Sequence, residues 1–126
     1  MARTHEKVRY TPKGERYTAV TAAQGIEDAL KVLEGRWKLI IVFHLFGGKV
    51  LRFSDLERAI PAISQKMLIQ QLRELERDAI VAREVYPEVP PKVEYHLTPG
   101  GEELCPALDE LLFWAQRWKG QPTSAR

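Results

Sequence analysis

The segment from Ser64 to Arg77 carries side chains that could read a nucleic acid. Drawn as a helix at about 100° per residue, it has a stripe of leucines on one side and amides and cations on the other. Such amides and cations can hydrogen-bond base edges in the major groove or bind backbone phosphates. An ordinary solvated helix face has the same composition, so the neighbouring elements must decide between the two. The predicted DNA contacts in this segment are Ser64, Gln65, Lys66, Gln70, Arg73 and Arg77.

Two helices are predicted well before this segment. Apolar residues at helical spacing predict the first over about residues 22 to 33. The stretch from Trp37 to Phe46 is apolar nearly all round, so it predicts a central helix that the rest of the fold covers, with Trp37 in the core. Gly47-Gly48 should end it, because glycine accepts the left-handed conformation common at helix ends.

A third helix is predicted directly before the Ser64 segment. Val50 to Phe53 could form a very short strand, and Ser54 followed three residues later by Glu57 matches a capping box that opens a helix over 55 to 59. Ser64 can then cap the next helix. Two helices joined by a few residues are a helix-turn-helix.

A β-hairpin and a last helix follow. Residues 80–86 and 92–97 are β-branched, aromatic and partly alternating, and they flank a proline-rich loop. Thr98-Pro99 predicts a helix start, and an apolar stripe continues to about residue 119. The order helix, helix, short strand, helix, helix, strand, strand, helix predicts a winged helix, a mainly α fold with a small β-hairpin (α+β).

Further cations and a hydroxyl outside the Ser64 segment could contact phosphate. They are Arg52, Ser54, Arg83 and Lys92. Arg77, near the end of the segment, is expected to contact the DNA backbone or a carboxylate such as Glu74 or Glu76.

The last helix has more aromatic surface than one face can bury in a monomer. Phe113, Trp114 and Trp118 suggest a partner surface, and a second copy of the chain is the simplest partner. A small-molecule pocket between two subunits is an alternative reading, because aromatic side chains also line pockets.

Composition bounds the class of protein. At 126 residues, we expect one winged-helix domain over 21–119, a flexible arm over 1–20 and a tail over 120–126. The single cysteine fits a reducing compartment and no apolar run suggests a membrane span, so we expect a cytoplasmic protein. The three histidines lack metal-site spacing, and no nucleophile is paired with a base. We therefore expect no metal, no cofactor and no enzymatic activity.

Four motifs in this order resemble the HxlR family of bacterial winged helix-turn-helix regulators, relatives of the MarR regulators. They are Leu33 to Lys38; Arg52 to Leu56; Ile63 to Leu68 with Leu72 to Glu76; and Arg83 to Tyr95 with Leu97 to Gly101. The resemblance covers about residues 24 to 118. It implies a homodimeric transcriptional regulator with the Ser64–Arg77 helix in the major groove and the wing, residues 86–93, against the DNA backbone or minor groove.

The resemblance also implies dimerisation through the first and last helices. The expected interface residues are Ile26, Leu30, Leu111, Phe113, Trp114 and Trp118. Many members of the family carry a cysteine just before the first helix, and several use it to sense electrophiles or oxidants. This chain has Gln24 at that position, so thiolate chemistry is absent there. Cys105, beside the core stripe of the last helix, is expected to be inert packing.

The sequence thus predicts a sequence-specific regulator that binds double-stranded DNA as a homodimer on a pseudo-palindromic operator. Two alternatives stay open. The near-zero net charge of +2 also suits a winged-helix module for protein–protein assembly. A regulator gated by an unidentified small-molecule effector at the dimer interface is the other.

Overall fold

The structure is a computed structural model that describes residues 17–120. Most of the first helix belongs to one compact unit, which ends at Lys31, and the chain from Val32 forms another. The helices are α1 (Ala19–Leu33), α2 (Arg36–His44), α3 (Phe53–Ala59), α4 (Gln65–Arg77) and α5 (Pro99–Lys119), with a 3₁₀ turn at Phe46–Gly48. The strands are β1 (Leu51–Arg52), β2 (Val81–Tyr86) and β3 (Lys92–Leu97).

The described chain is mainly helical, with a small antiparallel sheet in the order β1-β3-β2. The predicted hairpin pairs Val81 with Leu97 and Tyr86 with Lys92. The very short strand β1 adds Leu51 opposite Tyr95. The predicted winged-helix fold class is therefore confirmed, and β1 ties the start of the helix-turn-helix to the wing.

The core forms where α2, α3, α4 and the sheet meet. The leucine stripe of α4 is its centre, and α2 is central as its apolar composition predicts. Trp37 is half-buried against this core, with the Arg36 guanidinium 4.3 Å from its ring centroid. The residues buried to 1% exposure or less are Ile41, Val42, Leu45, Leu56, Leu68, Leu72 and Leu75.

The start of α3 corrects the predicted capping box. The helix begins at Phe53 rather than at residue 55, and the Asp55 carboxylate accepts a hydrogen bond of 2.9 Å from the backbone N–H of Arg52. Phe53 packs against the core, which holds it inside the first turn and moves the capping position back to Arg52. The predicted Ser54–Glu57 pairing is therefore wrong, and the Ser54 side chain is exposed.

A tight junction joins α4 to the wing. The Ile80 N–H donates to the Leu75 carbonyl at 2.9 Å, and the Ala79 N–H donates to the Glu76 carbonyl at 3.0 Å. This is a Schellman motif, and Ala79 takes its left-handed position with φ 59°. Ile80 and Leu75 both lie in the core, so the end of α4 fixes where β2 begins.

Candidate nucleic-acid interface

Helix α4 presents one polar face to solvent. Hydrogen bonds fix both of its ends, and its opposite face packs in the core. The Ser64 hydroxyl accepts a hydrogen bond of 3.1 Å from the Met67 N–H, as predicted for the cap. Burial of the leucine stripe turns the opposite residues outward. The exposed predicted contacts on this helix are Gln65, Lys66, Gln70, Arg73 and Arg77.

The cations of this face differ in whether they are paired with a carboxylate of the same chain. Within residues 17–120, Lys66 and Arg73 make no hydrogen bond or ion pair. Arg77 does contact a carboxylate, but that of Asp78, at 3.5 Å, rather than the expected Glu74 or Glu76. Because the charge on Lys66 and Arg73 is not neutralised locally, these two side chains are the ones best prepared to bind an anion.

A buried lysine on α2 organises the middle of this face. Lys38 is 4% exposed, and its Nζ lies 2.7 Å from Oε1 of Glu74 on α4. The other carboxylate oxygen of Glu74 accepts a hydrogen bond of 3.2 Å from the Gln70 amide. The hydrogen bond from Lys38 is the main reason why the pKa of Glu74 is lowered. Since the Gln70 nitrogen donates to Glu74, the amide has a preferred orientation, with its oxygen available as an acceptor.

Sequence reasoning missed the role of Lys38, which entered only as part of a family motif. A lysine inside an otherwise apolar helix was the available signal, because a buried lysine needs a carboxylate partner. Its partner lies 36 positions further on, so only the fold identifies it.

The wing cations, by contrast, already have partners. Arg83 Nε lies 3.3 Å from Oε1 of Glu76 on α4. Lys92 Nζ lies 3.6 Å from Oε2 of Glu94 and 4.9 Å from the centroid of the Tyr86 ring. Both cations therefore have less charge to offer a phosphate than Lys66 or Arg73 unless these contacts open.

An acidic network continues along the wing. The Tyr86 hydroxyl donates to Glu84 at 2.9 Å, and this hydrogen bond raises the pKa of Tyr86 to about 12. His96 Nε2 lies 3.0 Å from the same Glu84 carboxylate, and His96 Nδ1 lies 3.0 Å from a backbone carbonyl oxygen. The bond to that carbonyl, followed by the bond to Glu84, raises the pKa of His96.

The structure brings most of the predicted contacts into two further groups. Arg52, Ser54 and Lys92 line one groove of about 360 Å³ where β1 and α3 meet the wing. Arg73, Arg77 and Arg83 line a cavity of about 470 Å³ between α4 and the hairpin. Each site thus joins residues of different elements, Lys92 of the wing with Arg52 and Ser54 in the first and Arg83 of β2 with two arginines of α4 in the second, which spacing alone could not predict.

Apolar side chains remain exposed on both helices that were predicted to dimerise. On α1, Ile26 and Leu30 are about 60% exposed. On α5, the Trp114 and Trp118 rings stack with their centroids 5.8 Å apart. The other exposed apolar residues of α5 are Leu111, Leu112 and Phe113.

Within residues 17–120, the positions relevant to sensing or metal binding show neither a reactive thiol nor a cluster of metal ligands. Gln24 donates a hydrogen bond of 3.1 Å to Asp28 within α1. Cys105 is half-buried, and burial raises the pKa of its thiol, which disfavours the reactive thiolate. Between residues 17 and 120, no three His, Cys, Asp or Glu side chains are grouped to hold a metal ion. No helix in this range is long and apolar enough to cross a membrane.

Comparison with known proteins identifies the family. A family model described as HxlR-like helix-turn-helix matches residues 32–123. The chain belongs to this HxlR-like family. One relative is the HTH-type transcriptional regulator YtcD of Bacillus subtilis, which is 52% identical over 89 residues, covering 71% of this chain and 70% of that protein.

Solved structures agree with the winged-helix fold of this HxlR-like protein. A MarR-family transcriptional regulator from Enterococcus faecalis V583 matches with a TM-score of 0.74 and 38% identity, covering 86% of this chain and 96% of that chain. The redox regulator HypR in its reduced form matches with a TM-score of 0.70 and 46% identity, covering 74% and 91% of the two chains. The predicted family is thus confirmed, and the relatives support DNA-binding transcriptional regulation.

Proposed function

We propose that the protein is a sequence-specific transcriptional regulator that binds a pseudo-palindromic operator as a homodimer. Helix α4 lies in the major groove, and the wing, residues 86–93, lies on the DNA backbone. The observation that carries this proposal is the exposed face of α4, on which Lys66 and Arg73 have no partner in the described chain. A helix held at both ends by its cap and by the α4–β2 junction presents these groups with little left to order on binding.

The members of this face contribute to affinity through phosphate contacts and to specificity through base contacts. Lys66 and Arg73 bind phosphate or guanine, and Gln70, whose amide is oriented by Glu74, is suited to adenine. The groove of Arg52, Ser54 and Lys92 accepts a second stretch of backbone. This division follows the general rule that phosphate contacts fix position and base contacts select sequence.

The experiment selects bound duplexes from a random pool and measures their affinity for Lys66→Ala, Arg73→Ala and the double variant. We expect the double variant to lose specific binding by at least about a hundredfold, since each good base contact is worth roughly tenfold or more. Each phosphate contact removed should also lower the slope of log affinity against log salt by about 0.9. Circular dichroism should show an unchanged fold.

Lys119→Ala is the matched control. This exposed cation ends α5, a helix of 21 residues, and so lies about 30 Å along its axis from the α4–β2 junction. It should bind like the wild type. If the double variant also binds its selected operator like the wild type, α4 is not the reading helix. If the wild type shows no salt-dependent DNA binding, the protein–protein assembly alternative replaces this proposal.

The homodimer is supported by exposed apolar surface on α1 and α5. Part of it is an apolar recess of about 140 Å³ lined by α2 and α5 residues, including Phe43 and Leu111. This is smaller than the roughly 300–1,000 Å³ of small-molecule pockets, so an inserted side chain from a second copy fits it better than an effector. Leu111→Glu should give a monomer in sedimentation equilibrium, whereas Val89→Glu, at a fully exposed apolar position of the wing, should stay dimeric. A dimeric Leu111→Glu variant would contradict this interface.

A further inference from the structure

The cavity between α4 and the hairpin has the chemistry of an anion site. It measures about 470 Å³ and opens to solvent, and three of its side chains are arginines. Glu76 is the one carboxylate in its lining. The lining therefore carries two more positive than negative charges. Its size falls in the range of about 300–1,000 Å³ that ligand pockets occupy.

Tyr95 supplies a hydroxyl at the inner wall of this cavity. Its side chain is 8% exposed, and its O–H has no hydrogen-bond partner among residues 17–120. No buried polar side-chain atom between residues 17 and 120 lacks a hydrogen-bond partner, so this hydroxyl is accessible from the solvent-open cavity, and a ligand there can accept its hydrogen bond. The sheet fixes its position, because Tyr95 pairs with Leu51 on one side and Arg83 on the other.

Two guanidinium groups act on this hydroxyl. Burial raises the pKa of Tyr95 and the Glu76 charge raises it further, while the Arg83 and Arg73 charges oppose both effects. Arg83 reaches the cavity from the strand next to Tyr95 and shares Glu76 at 3.3 Å. Arg73 reaches it from α4 with its charge unpaired in the described chain. An anion could thus accept from Tyr95 while contacting guanidinium groups from both walls.

We propose that this cavity binds one phosphate-class oxyanion, held by the Tyr95 hydroxyl and the Arg73 and Arg83 guanidiniums. The oxyanion has two sources with the same chemistry. One is a backbone phosphate of the operator, in which case the site rests on the proposed function and joins the recognition helix to the wing. The other is a free phosphate or a phosphorylated small molecule, which would occupy Arg73 and so compete with DNA.

Tyr95→Phe is the test variant, because it removes the hydroxyl and keeps the ring in the core. Tyr86→Phe is its matched control in the phosphate titration without DNA, since that hydroxyl lies on the same hairpin, outside the residues that line the cavity, and already donates to Glu84. Arg73→Gln removes the unpaired charge. Urea unfolding of each variant checks that it is folded.

The first arm titrates inorganic phosphate without DNA, at constant ionic strength, by calorimetry and by NMR of the arginine Nε–H groups. A free-anion site gives saturable shifts of Arg73 and Arg83 in the wild type and in Tyr86→Phe. The affinity should fall about tenfold in Tyr95→Phe, as expected for the loss of one hydrogen bond to a charged group.

The second arm measures binding to duplexes in which single phosphates are replaced by neutral methylphosphonates. A backbone site gives one position per half-site where the replacement weakens the wild type about tenfold and weakens Tyr95→Phe less, because the variant has already lost one of the three contacts to that phosphate. Arg73→Gln should lower the salt slope by about one.

Either arm alone supports the site and identifies its source. The proposal is overturned if Tyr95→Phe matches the wild type in both arms. Phosphate binding that is unsaturable and the same in every variant then means an adventitious ion only. A wild type that binds phosphate saturably but no DNA would refute the proposed function and leave the cavity site standing. Normal DNA binding with no Tyr95 effect in either arm would refute the site alone.

Discussion

Replacing Gly101 by alanine should destabilise the protein far more than the same change at its neighbour Gly100. Gly101 lies in the first turn of α5 and packs against the end of the α4–β2 junction. A Cβ at Gly101 would come closer than 3.0 Å to the Ile80 carbonyl oxygen and 3.2 Å from the Ile80 carbonyl carbon. The same oxygen accepts a 3.0 Å hydrogen bond from the Thr98 N–H, and the Thr98 hydroxyl donates to the Ala79 carbonyl. The backbone therefore has little freedom to move away.

The magnitude follows from what each new methyl group meets. At Gly100 the nearest atoms lie at 3.7 and 3.8 Å, which is ordinary contact, so alanine there should stabilise by up to about 1 kcal/mol through helix propensity. At Gly101 the same gain is opposed by overpacking of about 1–3 kcal/mol and by a weakened hydrogen bond worth roughly 1 kcal/mol. The two variants should thus differ by about 2–4 kcal/mol, a large share of the roughly 5–15 kcal/mol that stabilises a domain.

Urea unfolding followed by tryptophan fluorescence measures this difference, at one protein concentration because a dimer's stability depends on concentration. DNA binding provides a second readout. The Gly101→Ala variant should lose apparent affinity only in proportion to its unfolded fraction, unless the shift at Ile80 also moves β2 relative to α4. Equal stability of the two alanine variants would show that α5 does not pack on the Ile80 carbonyl, and the reasoning about this junction would be wrong.

Three further predictions concern single contacts. Ala79→Gly should raise the free energy of unfolding by about 0.5–1 kcal/mol, because glycine relieves the cost of the left-handed conformation at φ 59° and loses part of that gain to chain entropy; a destabilised variant in urea unfolding would contradict it. Glu74→Ala leaves the buried Lys38 cation unpaired and should lower the melting temperature. The double variant Lys38→Met, Glu74→Leu should recover stability but discriminate less between operator sequences. Unaltered discrimination by the double variant would mean that Glu74 does not orient the Gln70 amide on the exposed face of α4. The raised pKa of His96 means that the protonated ring stabilises the fold fully below about pH 6.5 and that this stability is lost as pH rises through the folded-state pKa; melting temperatures across pH 6–8 should show the loss in the wild type and not in His96→Asn, and Glu84→Gln should reduce it.

The elements that the sequence predicted well are those fixed by local signals. Helices α4 and α5 begin at the residues after Ser64 and Thr98, whose hydroxyls accept hydrogen bonds from amides three residues ahead. The hairpin strands lie within one residue of their predicted bounds. A cap or an alternating strand needs only neighbouring residues, so a single sequence contains the information.

The start of α3 shows where local signals compete. Ser54 with Glu57 and Arg52 with Asp55 overlap in sequence, and either pair could place a carboxylate at the third position of a helix. The position of Phe53 against the core decides between them. Because that contact joins distant parts of the chain, no inspection of the capping residues alone could select the correct start.

The sequence predicts which side chains of the candidate site are exposed, but it does not predict which of them form ion pairs. Exposure of Lys66, Gln70 and Arg73 follows from their phase relative to the leucine stripe, which is a local property. The partners of Lys38 and Arg83 depend on the packing of α2 and the hairpin against α4. These pairings decide which cations keep their charge available, so the electrostatic character of the site is a property of the fold.

That distribution of charge suggests different roles for helix and wing in DNA binding. On α4, Lys66 and Arg73 can bind phosphate without breaking any contact within the described chain, so their full attraction contributes to affinity. On the wing, Lys92 must leave Glu94 and Arg83 must share Glu76, so part of each new contact offsets a lost one. Glu76 links the two elements, because it sits on α4 and holds Arg83 of β2. An anion that draws Arg83 away from Glu76 would therefore change how the wing is tied to α4, and under the proposed function this would alter DNA affinity.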